Sequence, residues 1–133
     1  MEASKRFMTD ATSRYRQVSV ETADQASLII MLFDGLQRFA SAAIVKMRAG
    51  EYAHEECFKA RDIALHLHRS LRPDGSDLAK NLNSLYFYVY KQLVLAHMER
   101  NANRIEELLP VVQELRAGWE GLRTREKTAA AAR

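Results

Sequence analysis

Apolar residues recur every three or four positions along four stretches of this chain, and that spacing predicts four amphipathic helices. Leu28, Leu32, Leu36, Phe39, Ala43 and Met47 form the first stripe, over residues 25–49. Asp24 is its candidate N-cap, Thr22 with Gln25 fits a capping box, and Gly50 is a fitting stop. Ala60, Ile63, Ala64, Leu67 and Leu71 form the second, over residues 52–71. Arg72-Pro73-Asp74-Gly75 then makes a turn, because proline presets its own dihedral and glycine tolerates positive ones. Leu78, Leu82, Leu85, Tyr86, Val89, Leu93 and Ala96 mark the third helix, over residues 77–100, capped by Ser76 or Asp77. After a break at Asn101-Ala102-Asn103, Ile105, Leu108, Leu109, Val112, Leu115, Trp119 and Leu122 mark the fourth, over residues 103–123. Pro110 lies inside this last helix and removes one backbone donor, which predicts a bend there.

Four such helices joined by short links predict an all-α fold, an antiparallel four-helix bundle. The bundle domain spans residues 22–123. Residues 1–21 show no steady period and are expected to be an N-terminal arm, loose or packed as an extended strip. Residues 124–133 are expected to be a disordered or frayed basic tail.

Two segments are too apolar for a one-sided helix: 28–33, reading Leu-Ile-Ile-Met-Leu-Phe, and 85–90, reading Leu-Tyr-Phe-Tyr-Val-Tyr. At about 100° per residue, six consecutive positions go all the way round. With Leu28, Leu32 and Phe39 toward the core, Ile29 and Phe33 fall to one side and Ile30 nearly opposite. Phe87 and Tyr88 likewise leave the third stripe. A helix that is apolar all round is central or has a second interface. In a four-helix bundle no helix is fully surrounded, so either these are generous core helices with scattered surface apolars, or the excess is covered by the arm, a second subunit or a cargo. Tyrosines suit a binding surface, since the ring gives contact area while the hydroxyl stays wet.

Composition narrows the class. The chain of 133 residues suits one domain, and 47% apolar residues with only two prolines favour a helical globule over disorder. The longest uninterrupted apolar run is six residues, so a membrane span is not expected, and no apolar core follows the charged N-terminus as a secretory signal requires. The single cysteine, Cys57, cannot form an internal disulfide. The expected compartment is the cytosol. Net charge is +3, all of it supplied by residues 123–133, and one short basic stretch makes too few phosphate contacts to predict nucleic-acid binding.

Candidate chemistry is thin. His66 and His68 are two apart and point to opposite sides of a helix. Glu51 and His54 give one Glu-x-x-His, where a di-iron bundle needs two such motifs and two more glutamates. His54 and Cys57 are three apart, but two ligands near a helix start make a weak metal site. Glu55 and Glu56 oppose the electropositive setting a reactive Cys57 would need. No nucleophile elbow, phosphate loop or haem attachment motif is present. No enzyme, metal or cofactor is expected.

Several fragments, in order over residues 15–122, resemble the flagellin-specific export chaperone family, FliS. They are Leu-Ile-Ile-Met-Leu-Phe-Asp-Gly at 28–35, Met47-x-x-Gly50, Lys59-Ala60-x-x-Ile63 followed by Leu67 and Ser70-Leu71, and Asn81-Leu82-x-Ser84-Leu85-Tyr86-x-Tyr88. Leu93 and Ala96 follow at the expected spacing, and the fourth helix has Ile105-Glu106-Glu107, Leu115-Arg116 and then Trp119. The resemblance implies a cytosolic helical bundle that binds the C-terminal segment of flagellin, prevents premature polymerisation and keeps the subunit competent for type III export. The cargo would lie as helices in apolar grooves. On that reading Ile29, Ile30, Phe33, Phe87, Tyr88 and Tyr90 form the flagellin-binding groove, and Tyr15 and Val18 in the arm cap it when cargo is absent. The flagellar export gate is a second candidate partner, and the chain is expected to be a monomer or weak homo-oligomer. A generic helical adaptor for another partner helix stays open as the alternative.

Overall fold

The computed structural model describes residues 25–71 and 75–131. The arm with Tyr15 and Val18, the caps Thr22 and Asp24, and Arg72-Pro73-Asp74 lie outside the described residues. Four helices account for the rest: α1 Gln25–Arg48, α2 His54–Ser70, α3 Asp77–Glu99 and α4 Ala102–Ala131. Each packs on its neighbour in sequence, and α4 closes the ring on α1. The α1–α4 contact is the most extensive and α3–α4 the least. All four contacts are antiparallel. Asp34 and Arg48 of α1 pair with Arg116 and Glu106 of α4, running in opposite directions along the two helices. His68 and His54 of α2 meet Phe87 and His97 of α3 in the same reversed order.

Local chemistry fixes most boundaries. Gly50 ends α1 in the left-handed region, with φ 77°. Helix α2 begins at His54, later than the expected start at residue 52, and Ala53 offers no side-chain cap. Ser76 Oγ accepts the Ala79 N–H at 3.1 Å and starts α3. Asn101 Oδ1 accepts the Arg104 N–H at 3.2 Å and starts α4. Between them Arg100 takes φ 52°, a left-handed position where glycine is usual.

The main correction is at the C-terminus. Residues 124–131, expected to be frayed, are helical through Ala131. The apolar stripe stops at Leu122, which is where the pattern ceases to be informative. Alanine, lysine and arginine continue the helix on propensity. Pro110 sits on the exposed side within this helix, which begins well before it.

Two clusters make the core. The larger holds Leu32, Phe33 and Leu36 of α1, Ile63 and Leu67 of α2, Tyr86, Val89 and Leu93 of α3, and Leu108 and Val112 of α4. Across the diagonal, the Phe33 and Tyr86 rings meet edge to face, centroids 5.8 Å apart. The smaller is alanine-rich: Ala40, Ala43, Ala53 and Ala96 pack with Ile44, Cys57 and Ile105. Gly35 brings α1 and α2 together, since a Cβ there would stand 3.3 Å from Ile63 Cδ1. Helix α1 is long and apolar enough to cross a membrane by length and composition. Within the bundle it is the core helix, with nine of its residues buried against three neighbours.

Candidate partner-binding surface

Exposed large apolar side chains among the described residues concentrate on α3. Leu78, Leu85, Phe87, Tyr88 and Met98 are half of the set, and the rest are spread over the other helices and a link. Helix α3 presents two flanks. The flank toward α2 carries Phe87, whose ring lies 5.7 Å from His68 and 6.4 Å from Tyr90. Beside it, at the α2–α3 link, is a cleft of about 360 Å³ lined by His68, Arg69, Leu71, Gly75, Ala79, Lys80 and Asn83. The flank toward α4 is marked by Gln92, which accepts from Arg104 at 2.8 Å. Leu85 and Tyr88 lie seven and four positions before Gln92, so they share its row.

The structure divides the six expected groove residues. Phe87 and Tyr88 are exposed, 51% and 46%, but on opposite flanks of α3, because adjacent helical positions diverge by about 100°. Ile29 and Tyr90 are partly buried against the larger core cluster. Ile30 and Phe33, expected to leave the core, are buried at 3% and 1%. The reason is the width of the arc that α1 buries. It packs on α2 on one side and α4 on the other, and reaches Tyr86 of α3 across the diagonal. The apolar run at 28–33 is therefore largely core, with Met31 left exposed. Ile30 and Phe33 are core residues in this conformation.

Three leucines that the apolar stripes place in the core are exposed. Leu78 is 70% exposed, Leu85 40% and Leu122 37%. Because α3 and α4 are antiparallel, the start of α3 lies toward the end of α4. Beyond Leu122, α4 offers no apolar side chain larger than alanine as far as Ala131. The signal that could have found this was the mismatch in stripe length between the two helices.

Polar contacts tie the site to the bundle. Trp119 Nε1 donates to Tyr86 Oη at 2.7 Å, holding α4 to α3. Burial pushes the Tyr86 hydroxyl up to about 12, the Trp119 donor opposing it. Arg116 Nε donates to Asp34 Oδ1 at 2.7 Å between α4 and α1. Burial pushes the Cys57 thiol up to about 11, with Glu56 adding to it. The thiol therefore stays protonated at neutral pH, and a thiol is a poor nucleophile.

A helical bundle with an apolar, aromatic-bearing surface helix is the architecture of a protein-binding module. The comparisons sharpen this. The family model described as flagellar protein FliS matches residues 8–126. A flagellar secretion chaperone FliSB of Pseudomonas aeruginosa is 32% identical over 125 residues, covering 87% of this chain and 98% of that one. The flagellar secretion chaperone FliS of Salmonella typhimurium is 32% identical over 122 residues, covering 86% and 90%. That of Bacillus subtilis is 28% identical over 108 residues, covering 80% of each. The chain belongs to the FliS family of flagellar secretion chaperones. It is a chaperone of flagellar export rather than an enzyme, and its partner is a flagellar protein.

Proposed function

We propose that the flagellar protein held is flagellin, engaged in the cytosol through its C-terminal segment, which would otherwise polymerise. The observation that carries the reading is the surface of α3. A self-contained bundle has no use for Leu78, Leu85, Phe87 and Tyr88 at the surface of one helix. A disordered cargo that folds on binding needs a large apolar interface to offset its ordering entropy. The cargo is proposed to wrap α3 and contact both flanks, with Phe87 and Tyr88 as the principal anchors and Ile29 and Tyr90 at the margins. The N-terminal arm, through Tyr15 and Val18, is proposed to cover part of this surface in the absence of cargo. Delivery to the export gate is the step that would follow.

Calorimetry with a peptide of the same organism's flagellin C-terminal segment tests this. Wild type, a Phe87→Ala, Tyr88→Ala variant and a chain lacking residues 1–21 would be compared. The expected result is one-to-one binding with a large negative heat-capacity change, weakened in the double variant and tightened without the arm. Unchanged binding by the double variant would move the site away from α3. Absence of binding by both wild type and truncated chain would overturn the flagellin assignment.

A further inference from the structure

His54 and His97 come from different helices, 43 positions apart, and meet at the end of the bundle that holds the α1–α2 and α3–α4 links. His54 Nδ1 and His97 Nε2 are 2.7 Å apart. On the far side of the His97 ring, Arg61 Nη1 stands 3.4 Å from Nδ1. A guanidinium only donates, so His97 Nδ1 accepts. Its Nε2 then carries the hydrogen and donates to His54 Nδ1. Donation runs one way from Arg61 through His97 to His54, with both imidazoles neutral. Aromatic rings hold the pair in place. Tyr52 of the α1–α2 link stacks on His54, centroids 5.3 Å apart and planes 13° from parallel. Phe58 meets His97 edge-on at 4.9 Å.

The ion pairs among the described residues include neither imidazole. From α2 the facing charge is Arg61, which also lies over Phe58 at 5.1 Å. At the end of α3, Arg100 lies 4.1 Å over Tyr52. From α4, Arg104 turns away to Gln92 and Glu99. From α1, Lys46 is taken by Glu56.

We propose that the Arg61–His97–His54 chain is a proton-sensitive latch between α2 and α3, closed while both imidazoles are neutral and opened as they take up protons. A proton on His97 Nδ1 sets donor against donor at Arg61. A proton on His54 Nδ1 sets donor against donor at His97 Nε2–H. The first proton therefore breaks one link, and the second places like charges at hydrogen-bond distance. Burial, His54 and Arg61, in that order, hold His97 below its ordinary value of 6.5. The unfolded chain then takes up the proton first, so stability is lost as pH falls below about 6.5 until the folded ring also titrates. This device rests on the packing of α2 on α3 and not on which cargo is bound.

The test uses the full chain without cargo. Ring-nitrogen NMR at neutral pH should show both His54 and His97 as the Nε2–H tautomer, with His97 titrating below an ordinary histidine. Thermal melting between about pH 8 and 5, the range in which histidine responds, should fall more steeply for wild type than for a His54→Gln, His97→Gln variant. His66, which burial also holds low, is present in both chains and cancels. A ring in the opposite tautomer at neutral pH, or equal pH dependence in the two chains, overturns the latch. If the variant does not fold, the wild-type titration decides alone, and an ordinary value for His97 overturns it.

Discussion

The Trp119 indole N–H donates to the Tyr86 hydroxyl across the thinnest seam of the bundle, at 2.7 Å. The same tyrosine meets Phe33 of α1 edge-on, so one side chain joins three helices. Replacing Tyr86 by phenylalanine keeps the ring packing and leaves the indole N–H without its partner. Trp119 is only partly buried, so water recovers some of the loss. The expected destabilisation is about 1 kcal/mol, the usual size for one hydrogen bond with an accessible partner. A urea titration reads it, and emission is unambiguous because Trp119 is the chain's one tryptophan.

Burial of the same hydroxyl predicts an alkaline limit. The unfolded tyrosine releases its proton near its ordinary value of 10, and folded Tyr86 only at about 12. Between those values the folded state binds more protons than the unfolded one, so stability falls as pH rises. Urea midpoints followed up that range should show the component in wild type, and Tyr86→Phe should lack it. Equal slopes in the two proteins would mean that other groups set the alkaline limit.

Phe33 and Phe87 look alike as aromatic members of apolar runs, yet they belong to different problems. Phe33 is 1% exposed in the larger core cluster, and Phe87 is 51% exposed beside His68. Phe33→Ala should cost about 3–5 kcal/mol, the transfer and cavity terms together. Phe87→Ala should cost under about 1 kcal/mol, the usual range for surface positions. Chemical denaturation of the two single variants checks this. It also decides how binding data are read. Lost affinity in Phe33→Ala would report unfolding, whereas lost affinity in Phe87→Ala would report the surface.

Much of the bundle was legible because each helix repeats its apolar residues at helical spacing. Ala60, Ile63, Ala64 and Leu67 of α2 are buried as that spacing demands. The surface was less legible, because phase places a side chain on its own helix and says nothing of how wide an arc the neighbours cover. For that reason Ile30 and Phe33 are buried where helical phase puts them outside the core, and Leu78 and Leu85 are exposed where it puts them inside. The family motif is explained by packing. Within 28–35, Leu32 and Phe33 fill the core, Asp34 accepts from Arg116, and Gly35 admits Ile63. The His54–His97 contact was illegible in principle, since nothing local links positions 43 apart.

Arg100 closes α3 in a conformation that suits glycine. Its φ of 52° places Cβ near the following carbonyl, at a cost of roughly 1–2 kcal/mol for an L-residue. Two contacts hold the position. The backbone N–H reaches the Ala96 and His97 carbonyls, and the guanidinium lies 4.1 Å over the Tyr52 ring. Arg100→Gly alone would mix relief of the backbone with loss of the ring contact. Comparison of Arg100→Gly with Arg100→Ala removes that ambiguity, because both lose the guanidinium and only alanine keeps a Cβ. The glycine variant should be the more stable by about 1 kcal/mol, the glycine advantage at a left-handed helix end. Thermal melting at neutral pH reads the difference. Equal stability would mean that the α3–α4 link relaxes out of the left-handed region once the arginine is gone.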